Sequence, residues 1–541
     1  MSELQIPLPG DSGAEGIKIG ARSEACVPPV GVLAPSGTAA GAAESFSLLK
    51  CIFSFPAMLG TLLVGAVFVV GRTFAVDPDL WWHIKNGQNI LATHQWPVTD
   101  PFSFTVAGQP WISTEWLGDL LFAAVSSFAG LRGLDALLIV LGGTVMLALY
   151  AYATLRSGNS KASFVAVTVL LLLTTPSFSL RPQMLGYVFL ILTLIVLERY
   201  RQGDRRGLWF LPALFLIWVN THGSFVIGMG AIAAYWLGGL VEFRVGSVEA
   251  LRWTAAQRIR LEIVFLLSLV ALTLTPYGTQ LALYPFHVAS SLPVGVANVL
   301  EWQSMPFNLP GGKLFLGLVL SFLIVQMVLR LSWRLEELAL FLFGTIMACL
   351  HVRFLLVFVP LFAPLLATVL SRWVPPYERS KDRYVLNAVL MTLVILGMIR
   401  YFPTNTDLQR LVEVNFPVRA VEYLRERPAP SPIFNTYGFG GYLIWSDYKV
   451  FVDGRADPYE RGGSLDDYFH IARLEPGTLS VLRGYGIQSC LLDRREPLAT
   501  VLSALPDWRQ VYADNVAVLF VRRDAAASEE ATSGPTRGRK E

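Results

Sequence analysis

The sequence has few charges and few cysteines, and each shortage excludes a class of protein. Only 15% of its 541 residues are charged, whereas a typical soluble domain has about 25%. A chain with so few charges and 53% hydrophobic residues cannot expose most of its surface to water. The four cysteines lie far apart without a CxxC pair, which excludes a zinc ribbon and a framework of disulfides. The net charge of +3 gives no sign of nucleic-acid binding.

Long apolar runs, by contrast, recur through the first three quarters of the chain, and its mean hydropathy is +0.50. Their lengths approach the roughly 17–25 residues that cross a bilayer, so they predict an α-helical polytopic membrane protein with about eleven transmembrane helices. The half-apolar stretch 116–131 is a candidate for a twelfth, re-entrant or interfacial helix. The predicted spans lie near 53–74, 134–155, 162–176, 183–198, 208–220, 224–243, 261–276, 314–330, 337–350, 354–371 and 384–402.

The basic residues of the connecting loops predict how these helices are oriented. With the N-terminus inside, sixteen basic residues fall in the even-numbered connections, and six fall in the odd-numbered connections or at their membrane border. Because basic loops stay in the cytoplasm, this asymmetry predicts a cytoplasmic N-terminus and an extracytoplasmic C-terminus. All six histidines then lie in outward-facing segments. Any chemistry is therefore expected at the non-cytoplasmic side.

Composition divides the chain into four parts. Residues 1–48 are rich in Gly, Ala, Ser and Pro without periodicity, which predicts a disordered cytoplasmic tail, and residues 523–541 are predicted to be a second disordered tail. The transmembrane domain covers 49–402 and includes a large first outer loop, 75–116. Residues 403–522 carry more charge and are predicted to form a small extracytoplasmic α/β domain. Its predicted helices lie near 417–427 and 465–474, and its strands near 432–436, 449–453, 488–493, 509–513 and 516–522.

The first outer loop is the most informative segment. Asp77 and Asp79 bracket Pro78 directly after the first span, and residues 80–93 have the pattern of a short amphipathic helix. A structural interpretation is that Asp77 caps this helix. Two carboxylates and His83 within seven residues at a bilayer surface are nevertheless costly unless they have a function.

Other polar residues fall in the later outer turns. Arg181 precedes the fourth span, His222 joins the fifth to the sixth, and His351 and Arg353 lie between the ninth and the tenth. Each also has a structural interpretation, because arginines anchor helices to headgroups and histidines bond to nearby carbonyl groups.

The sequence resembles the C-type glycosyltransferase superfamily (GT-C), which includes protein O-mannosyltransferases, aminoarabinose transferases and oligosaccharyltransferases. The resemblance rests on the Asp-x-Asp motif after the first span, the large outer loop with surface helices and the many-helix core. A closer resemblance, to a group of bacterial multi-pass membrane proteins, covers roughly residues 75–460 and implies the bacterial inner (plasma) membrane. It is carried by DPDLWWHI, TDPFSFT, EWL, SLRPQMLGYVFL, WVNTHGSFVIGMG, TPYG and GGYLIW…VFVDGRADPY.

The GT-C resemblance implies a membrane glycosyltransferase that moves a sugar from a polyprenyl-phosphate donor to an acceptor on the non-cytoplasmic side. Asp77 or Asp79 would be the catalytic base, and cationic side chains would bind the phosphate. Asp453 and Arg455 are candidates for the acceptor side, although they would equally suit a structural ion pair. The phosphate candidates are His83, Arg181, His222, His351 and Arg353, and the third acceptor-side candidate is Glu115.

The cofactor and the function class stay open at this point. Oxygen and imidazole ligands at Asp77, Asp79 and His83 suit Mg²⁺ or Mn²⁺, although the spacing does not require a metal. The expected partners are a polyprenyl-phosphate-linked sugar and membrane lipid, without nucleic acid. A transporter or flippase for a lipid-linked glycan is one alternative, but it predicts ionisable residues near mid-membrane. A non-catalytic envelope assembly protein is the other.

Overall fold

The computed structural model describes residues 48–71, 77–174, 178–291 and 293–523. Except for residues 48 and 523, the two predicted disordered tails lie outside these ranges. The chain divides into two compact units, Met1–Phe53 and Ser54–Glu541. Of the first unit, the described part is helical over residues 48–52. Every element below belongs to the second unit.

The second unit is mainly helical in its first 350 residues. Within the described residues, each of the eleven segments that were predicted to span the membrane contains an α-helix, although several helices are shorter than the predicted span. In the described chain, five helices are long and apolar enough to cross a bilayer, and shorter apolar helices accompany them. The number of crossings stays a prediction. The helices are α1 (Phe55–Gly71), α2 (Pro78–Thr93), α3 (Trp116–Ser157), α4 (Ser160–Thr174), α5 (Gln183–Arg201), α6 (Leu211–Val219), α7 (Phe225–Gly238), α8 (Ala255–Ala271), α9 (Thr279–Ser291), α10 (Pro293–Asn298), α11 (Pro310–Leu329), α12 (Leu335–Leu350), α13 (Leu355–Leu370) and α14 (Tyr384–Tyr401).

Helix α3 joins the half-apolar stretch 116–131 to the predicted second span. Gly130 interrupts it with φ 59° and ψ −152°, a conformation open almost only to glycine. The residues before and after Gly130 are thus two helical segments separated by a kink, so a separate helix over the half-apolar stretch stays a prediction.

The antiparallel succession of helices sorts their connections into two groups. The N-termini of α2, α3 and α5 lie at one end of the bundle, together with the turns after α6 and α12; contacts between these segments are given below. We call this the site end. The opposite end holds buried ion pairs between residues distant in sequence, which we call the basic end. There Arg334 donates to Glu198 at 2.5 Å and Arg156 donates to Glu337 at 2.5 Å. Some basic residues of the predicted cytoplasmic loops thus stabilise helix packing.

The C-terminal residues add a mixed sheet with helices around it. Its strands lie in the order β4 (Ile433–Asn435), β5 (Ser489–Asp493), β7 (Ala517–Arg522) and β6 (Trp508–Ala513), with β4 parallel to β5 and the other pairs antiparallel. A short sheet at the basic end supplies β1 (Phe243–Val245), β2 (Val248–Ala250) and β3 (Trp333–Arg334). The C-terminal elements are α15 (Asn405–Asn415), α16 (Val418–Glu426), β4 (Ile433–Asn435), α17 (Gly440–Trp445), α18 (Ala456–Arg461), α19 (Ser464–Ala472), α20 (Thr478–Gly484), β5 (Ser489–Asp493), α21 (Pro497–Ala504), β6 (Trp508–Ala513) and β7 (Ala517–Arg522).

The predicted strand 449–453 is not a strand of this sheet. Instead, the backbone of Val450 exchanges hydrogen bonds with the first outer loop, accepting from Phe104 at 3.1 Å and donating to Phe102 at 3.2 Å. The side chain of Asn435 holds the following residues, receiving the Phe451 N–H at 2.8 Å. Residues 449–453 therefore connect the C-terminal sheet to the loop that carries the candidate site.

Helix α2 lies between the helical bundle and the C-terminal elements. Its Trp81 packs against Tyr442 and Trp445 of α17, with ring centroids 5.1 and 5.0 Å apart. Gly441 permits this approach, because a Cβ there would lie 2.1 Å from the carbonyl oxygen of Pro78. The C-terminal residues thus help to fix the helix that begins with Asp77 and Asp79.

Candidate functional site

The carboxylate of Asp77 has two separate tasks. Its Oδ1 accepts the backbone N–H of Asp79 at 2.9 Å and so caps α2, which begins at Pro78. Its Oδ2 accepts from Nε of Arg181 at 2.7 Å. Asp77 therefore caps α2, as its structural interpretation predicted, and also belongs to a cluster of charged residues.

Arg181 is surrounded by three carboxylates that are distant from it in sequence. Besides Asp77, its guanidinium lies 3.1 Å from Oδ2 of Asp79 and 2.9 Å from Oε1 of Glu301. Three acids facing one cation leave the cluster with an excess of negative charge when all are ionised. Burial raises the pKa of Asp79, while the nearby Arg181 acts in the opposite direction. Arg181 is thus fully engaged by the protein itself.

Asp79 also faces the C-terminal part of the chain. A Cβ on Gly454 would lie 1.7 Å from Oδ1 of Asp79. The absence of a side chain at this position lets the backbone of the 453–455 loop lie directly against the carboxylate. Sequence analysis did not identify Gly454 as part of the site.

A second group of ionisable residues begins one turn further along α2. Nδ1 of the buried His83 lies 2.5 Å from Oδ1 of Asp119. The other oxygen of Asp119 accepts from Asn86 at 2.6 Å and Ser113 at 2.8 Å. Burial alone would lower the pKa of His83, but the charge of Asp119 raises it above the usual value. Asp119 fixes the orientation of this imidazole in the same way that carboxylates orient catalytic and metal-binding histidines.

Glu115, which precedes α3, lies between two histidines. Its oxygens are 3.6 Å from Nε2 of His83 and 3.3 Å from Nε2 of His222. Burial raises the pKa of Glu115 to about 7, although His83 opposes the shift. His222 accepts the N–H of Ser224 on Nδ1 at 3.1 Å, so its Nε2 carries the proton that faces Glu115. Burial and then the charge of Arg353 lower the pKa of His222 to about 3.

Arg353 differs from Arg181 in its partners. Its guanidinium stacks on the Trp302 ring, 4.2 Å from the centroid, and none of the carboxylates in the described chain forms an ion pair with it. His351 fixes the backbone at Trp302, because its Nδ1 donates to the Trp302 backbone carbonyl oxygen at 2.6 Å. The charge of Arg353 acts on both Glu115 and His222. It is a partly buried cation at the site end with capacity for an anion.

Asp453 and Arg455, two of the acceptor-side candidates, form a buried ion pair. Arg455 donates to both oxygens of Asp453, at 2.8 and 2.6 Å, and to Asp100 of the first outer loop at 2.8 Å. Its guanidinium also lies 4.6 Å from the centroid of the Trp111 ring. The pair joins the first outer loop to the 453–455 loop and so presents Gly454 to Asp79.

The three residues considered for a divalent metal are already engaged. Asp77 and Asp79 both contact Arg181, and Nδ1 of His83 contacts Asp119. Across the described ranges, no three His, Cys, Asp or Glu side chains are grouped to hold a metal ion. In this arrangement the guanidinium of Arg181 lies where a cation between the two aspartates would bind. Binding of Mg²⁺ or Mn²⁺ at these three residues stays a prediction, and the proposed transfer is argued from the side chains alone.

The structure thus brings most of the sequence-predicted residues to one end of the bundle. It also brings Glu301 and Trp302 there, although both are far from α2 in sequence and no local pattern predicts that they lie near that helix. Asp119 had a usable signal: it lies four residues after Glu115, which places both carboxylates on one face of a helix.

Comparisons with known proteins give structural likenesses of low identity. No family model and no curated protein matches the sequence. The Archaeoglobus fulgidus oligosaccharyltransferase tethered to an acceptor peptide covers 82% of this chain and 70% of its own, at 13% identity and a TM-score of 0.48. ArnT from Cupriavidus metallidurans bound to undecaprenyl phosphate covers 89% and 98%, at 12% identity and a TM-score of 0.47.

A third likeness is to AglB from Archaeoglobus fulgidus in complex with an inhibitory peptide and a dolichol-phosphate. It covers 81% of this chain and 69% of its own, at 11% identity and a TM-score of 0.47. The three likenesses have TM-scores below 0.5, so they assign neither a family nor an activity to this chain.

Proposed function

We propose that the protein is a membrane glycosyltransferase that transfers a sugar from a polyprenyl-phosphate donor to an acceptor hydroxyl on the non-cytoplasmic side. The observation that carries the proposal is the contrast between two arginines at the site end. Arg181 is engaged by three carboxylates, whereas Arg353 pairs with none in the described chain. The site thus offers partly buried carboxylates, which can accept a proton, and a cation that can bind an anion. Transfer from a lipid phosphate requires both.

Arg353 is the residue that would bind the donor phosphate. A guanidinium donates two parallel hydrogen bonds to a phosphate, and its stacking on Trp302 fixes the plane of this fork. When the bond between the sugar and the phosphate oxygen breaks, negative charge grows on that oxygen. A cation held in place before the reaction stabilises this charge without reorganisation.

The carboxylates would accept the proton of the acceptor hydroxyl. The oxygen of the acceptor hydroxyl forms a bond to the anomeric carbon of the sugar. The bond between that carbon and the phosphate oxygen breaks, and polyprenyl phosphate leaves. Asp79 is better placed than Asp77, because both oxygens of Asp77 are used, by the α2 cap and by Arg181. Asp79 keeps Oδ1 beside Gly454. Glu115 is the second candidate, since a pKa of about 7 suits proton transfer near neutral pH.

The test is release of polyprenyl phosphate by purified protein given a panel of polyprenyl-phosphate sugars and crude envelope acceptors. Asp79→Asn keeps the size of the side chain and removes its basicity, so the rate is expected to fall about 10²–10⁴-fold. Asp447→Asn is the matched control, because the Asp447 side chain is exposed and its only ion pair within the described residues is with Lys85. Passage of intact donor across a bilayer without release of polyprenyl phosphate would instead establish a transporter and contradict the proposal.

A further inference from the structure

A pocket of about 460 Å³ lies at the basic end of the bundle, on the opposite side of the helices from the carboxylates. It is bounded by the first turn of α1, the first turn of α4, the connection between α13 and α14, and the first two turns of α14. We propose that this pocket binds the phosphate group of an anionic membrane phospholipid. The proposal is independent of the proposed glycosyl transfer.

The cations of the pocket provide the first argument. Lys161 and Arg383 both line it, and neither forms an ion pair with a carboxylate of the described residues. Within the described residues, Nζ of Lys161 contacts only the carbonyl oxygen of Pro376, at 3.4 Å, and the ring of Phe55, whose centroid is 5.9 Å away. The third cation, Lys381, is paired with Glu378 at 2.8 Å. Two positive charges in the pocket therefore lack a protein counterion among these residues.

The remaining carboxylate of the pocket, Asp382, is used by the protein itself. It accepts the N–H of Phe55 at 2.9 Å, the hydroxyl of Tyr377 at 2.5 Å and the amide of Asn387 at 2.6 Å. These bonds cap the start of α1 and link it to α14, so Asp382 shapes the pocket wall. With Glu378 paired and Asp382 hydrogen-bonded in this way, the net charge of the lining stays positive.

The apolar part of the lining indicates a lipid rather than a free phosphate ion. Met58, Leu386 and Leu390 complete the pocket. Leu386 and Leu390 are 48% and 37% exposed and belong to α14, an apolar helix of which only 6% of the residues are buried. If Lys161 and Arg383 bind the phosphate group of a phospholipid, the acyl chains of that lipid would lie along the exposed face of α14. Basic pockets between membrane helices at a cytoplasmic surface are suited to anionic headgroups.

The pocket is too far from the carboxylates to be part of the same site. It contacts the first residue of α1, and the carboxylates follow the other end of that helix. The 17 residues of α1 correspond to a length of about 25 Å. Occupation of the pocket is therefore testable without any knowledge of the reaction.

Native mass spectrometry of the purified full chain in detergent tests the proposal, with phosphatidylglycerol and phosphatidylcholine added in equal amounts. The wild-type protein is expected to retain phosphatidylglycerol preferentially. Lys161→Gln/Arg383→Gln is expected to reduce that retention about fivefold for each charge removed. The control Arg205→Gln/Arg206→Gln removes the same charge from an exposed loop at the same end and should leave retention unchanged.

Three outcomes would overturn the proposal. These are equal retention of both lipids by the wild-type protein, an equal loss in the control variant, and displacement of phosphatidylglycerol by excess inorganic phosphate. The last outcome would assign the pocket to a free phosphate ion. If the double variant fails to fold, Lys161→Gln alone provides the same comparison, because Lys161 contributes no ion pair within the described chain.

Discussion

Arg181 and Arg353 show how two residues of one type, at one end of one bundle, have different roles. Arg181 lies among three carboxylates, with contacts of 2.7, 3.1 and 2.9 Å. Removing one charged side chain from such a cluster leaves the charges of the others without a partner. Arg353 stacks on the Trp302 ring and forms no ion pair with a carboxylate of the described chain. A substitution at each position should therefore have a different consequence.

We expect Arg353→Lys to weaken binding of polyprenyl phosphate about tenfold, because an ammonium group cannot form the paired hydrogen bonds of a guanidinium. Arg181→Lys should chiefly lower thermal stability, because it loses contacts within the protein. Titration calorimetry in detergent and thermal melting distinguish the two effects, with exposed Arg410→Lys as the control. Equal phosphate binding by Arg353→Lys and wild type would make Arg353 a headgroup anchor.

Glu115 gives a prediction with a defined pH range. Its folded pKa of about 7 lies above the ordinary value of 4.5 for a glutamate, so the folded protein holds this proton more tightly than the unfolded chain does. The resulting stability is fully present below about pH 4.5 and is lost as the pH rises through about 7.

Glu115→Gln keeps the neutral form, so its free energy of unfolding should exceed that of wild type by up to roughly 3 kcal/mol near pH 8 and should converge with it near pH 4.5. Thermal melting between pH 5 and 8 measures this difference, with exposed Glu426→Gln as the control. The pKa of His222 is shifted in the other direction, to about 3. Its contribution to the free energy of unfolding is therefore lost as the pH falls below 6.5. A constant difference between Glu115→Gln and wild type across this range would contradict the prediction.

Among the elements, the contact between α2 and the 453–455 loop is the one on which the site depends most directly. The buried Asp453–Arg455–Asp100 pairing fixes this loop against the first outer loop. Gly454 then lies against the carboxylate of Asp79. The helix and the loop come from opposite ends of the chain and are held together by contacts too tight to accept a methyl group.

Gly454→Ala is therefore expected to destabilise the protein by about 1–3 kcal/mol and to reduce transfer, because the new Cβ would lie 1.7 Å from Oδ1 of Asp79. Thermal melting and the polyprenyl-phosphate release assay measure the two effects. Gly484→Ala, which meets no atom within 4 Å, is the control in the same part of the chain. Wild-type melting and activity in Gly454→Ala would show that the loop is not held against Asp79.

For the whole molecule, the two ends of the bundle differ in charge in the way that the loop composition predicts. The carboxylates and histidines of the candidate site lie at one end, and the ion pairs of Arg156, Arg201 and Arg334 lie at the other. The assignment of these ends to the two sides of a membrane is a prediction from the basic loops.

Cysteine labelling tests that assignment. In a chain without its native cysteines, Ser304→Cys and Arg205→Cys are expected to react on opposite sides of intact spheroplasts with a membrane-impermeant reagent. Both positions are exposed, and they lie at opposite ends of the bundle. Ser304→Cys should react from outside, whereas Arg205→Cys should react only after lysis. Labelling of both from the same side would disprove the orientation and the location of the site.

The sequence by itself determined the helices and the segments that carry the chemistry. Apolar runs of sufficient length fold as helices wherever they occur, and Asp77, Pro78 and Asp79 mark the start of α2 through local capping rules. Only the tertiary structure decided which charges meet. Arg181 contacts Glu301 across 120 residues, Arg353 is left without a carboxylate of the described chain, and the predicted strand 449–453 bonds to a distant loop instead. Periodicity and spacing report the environment of each segment, whereas these pairings depend on how the helices pack, which no local pattern contains.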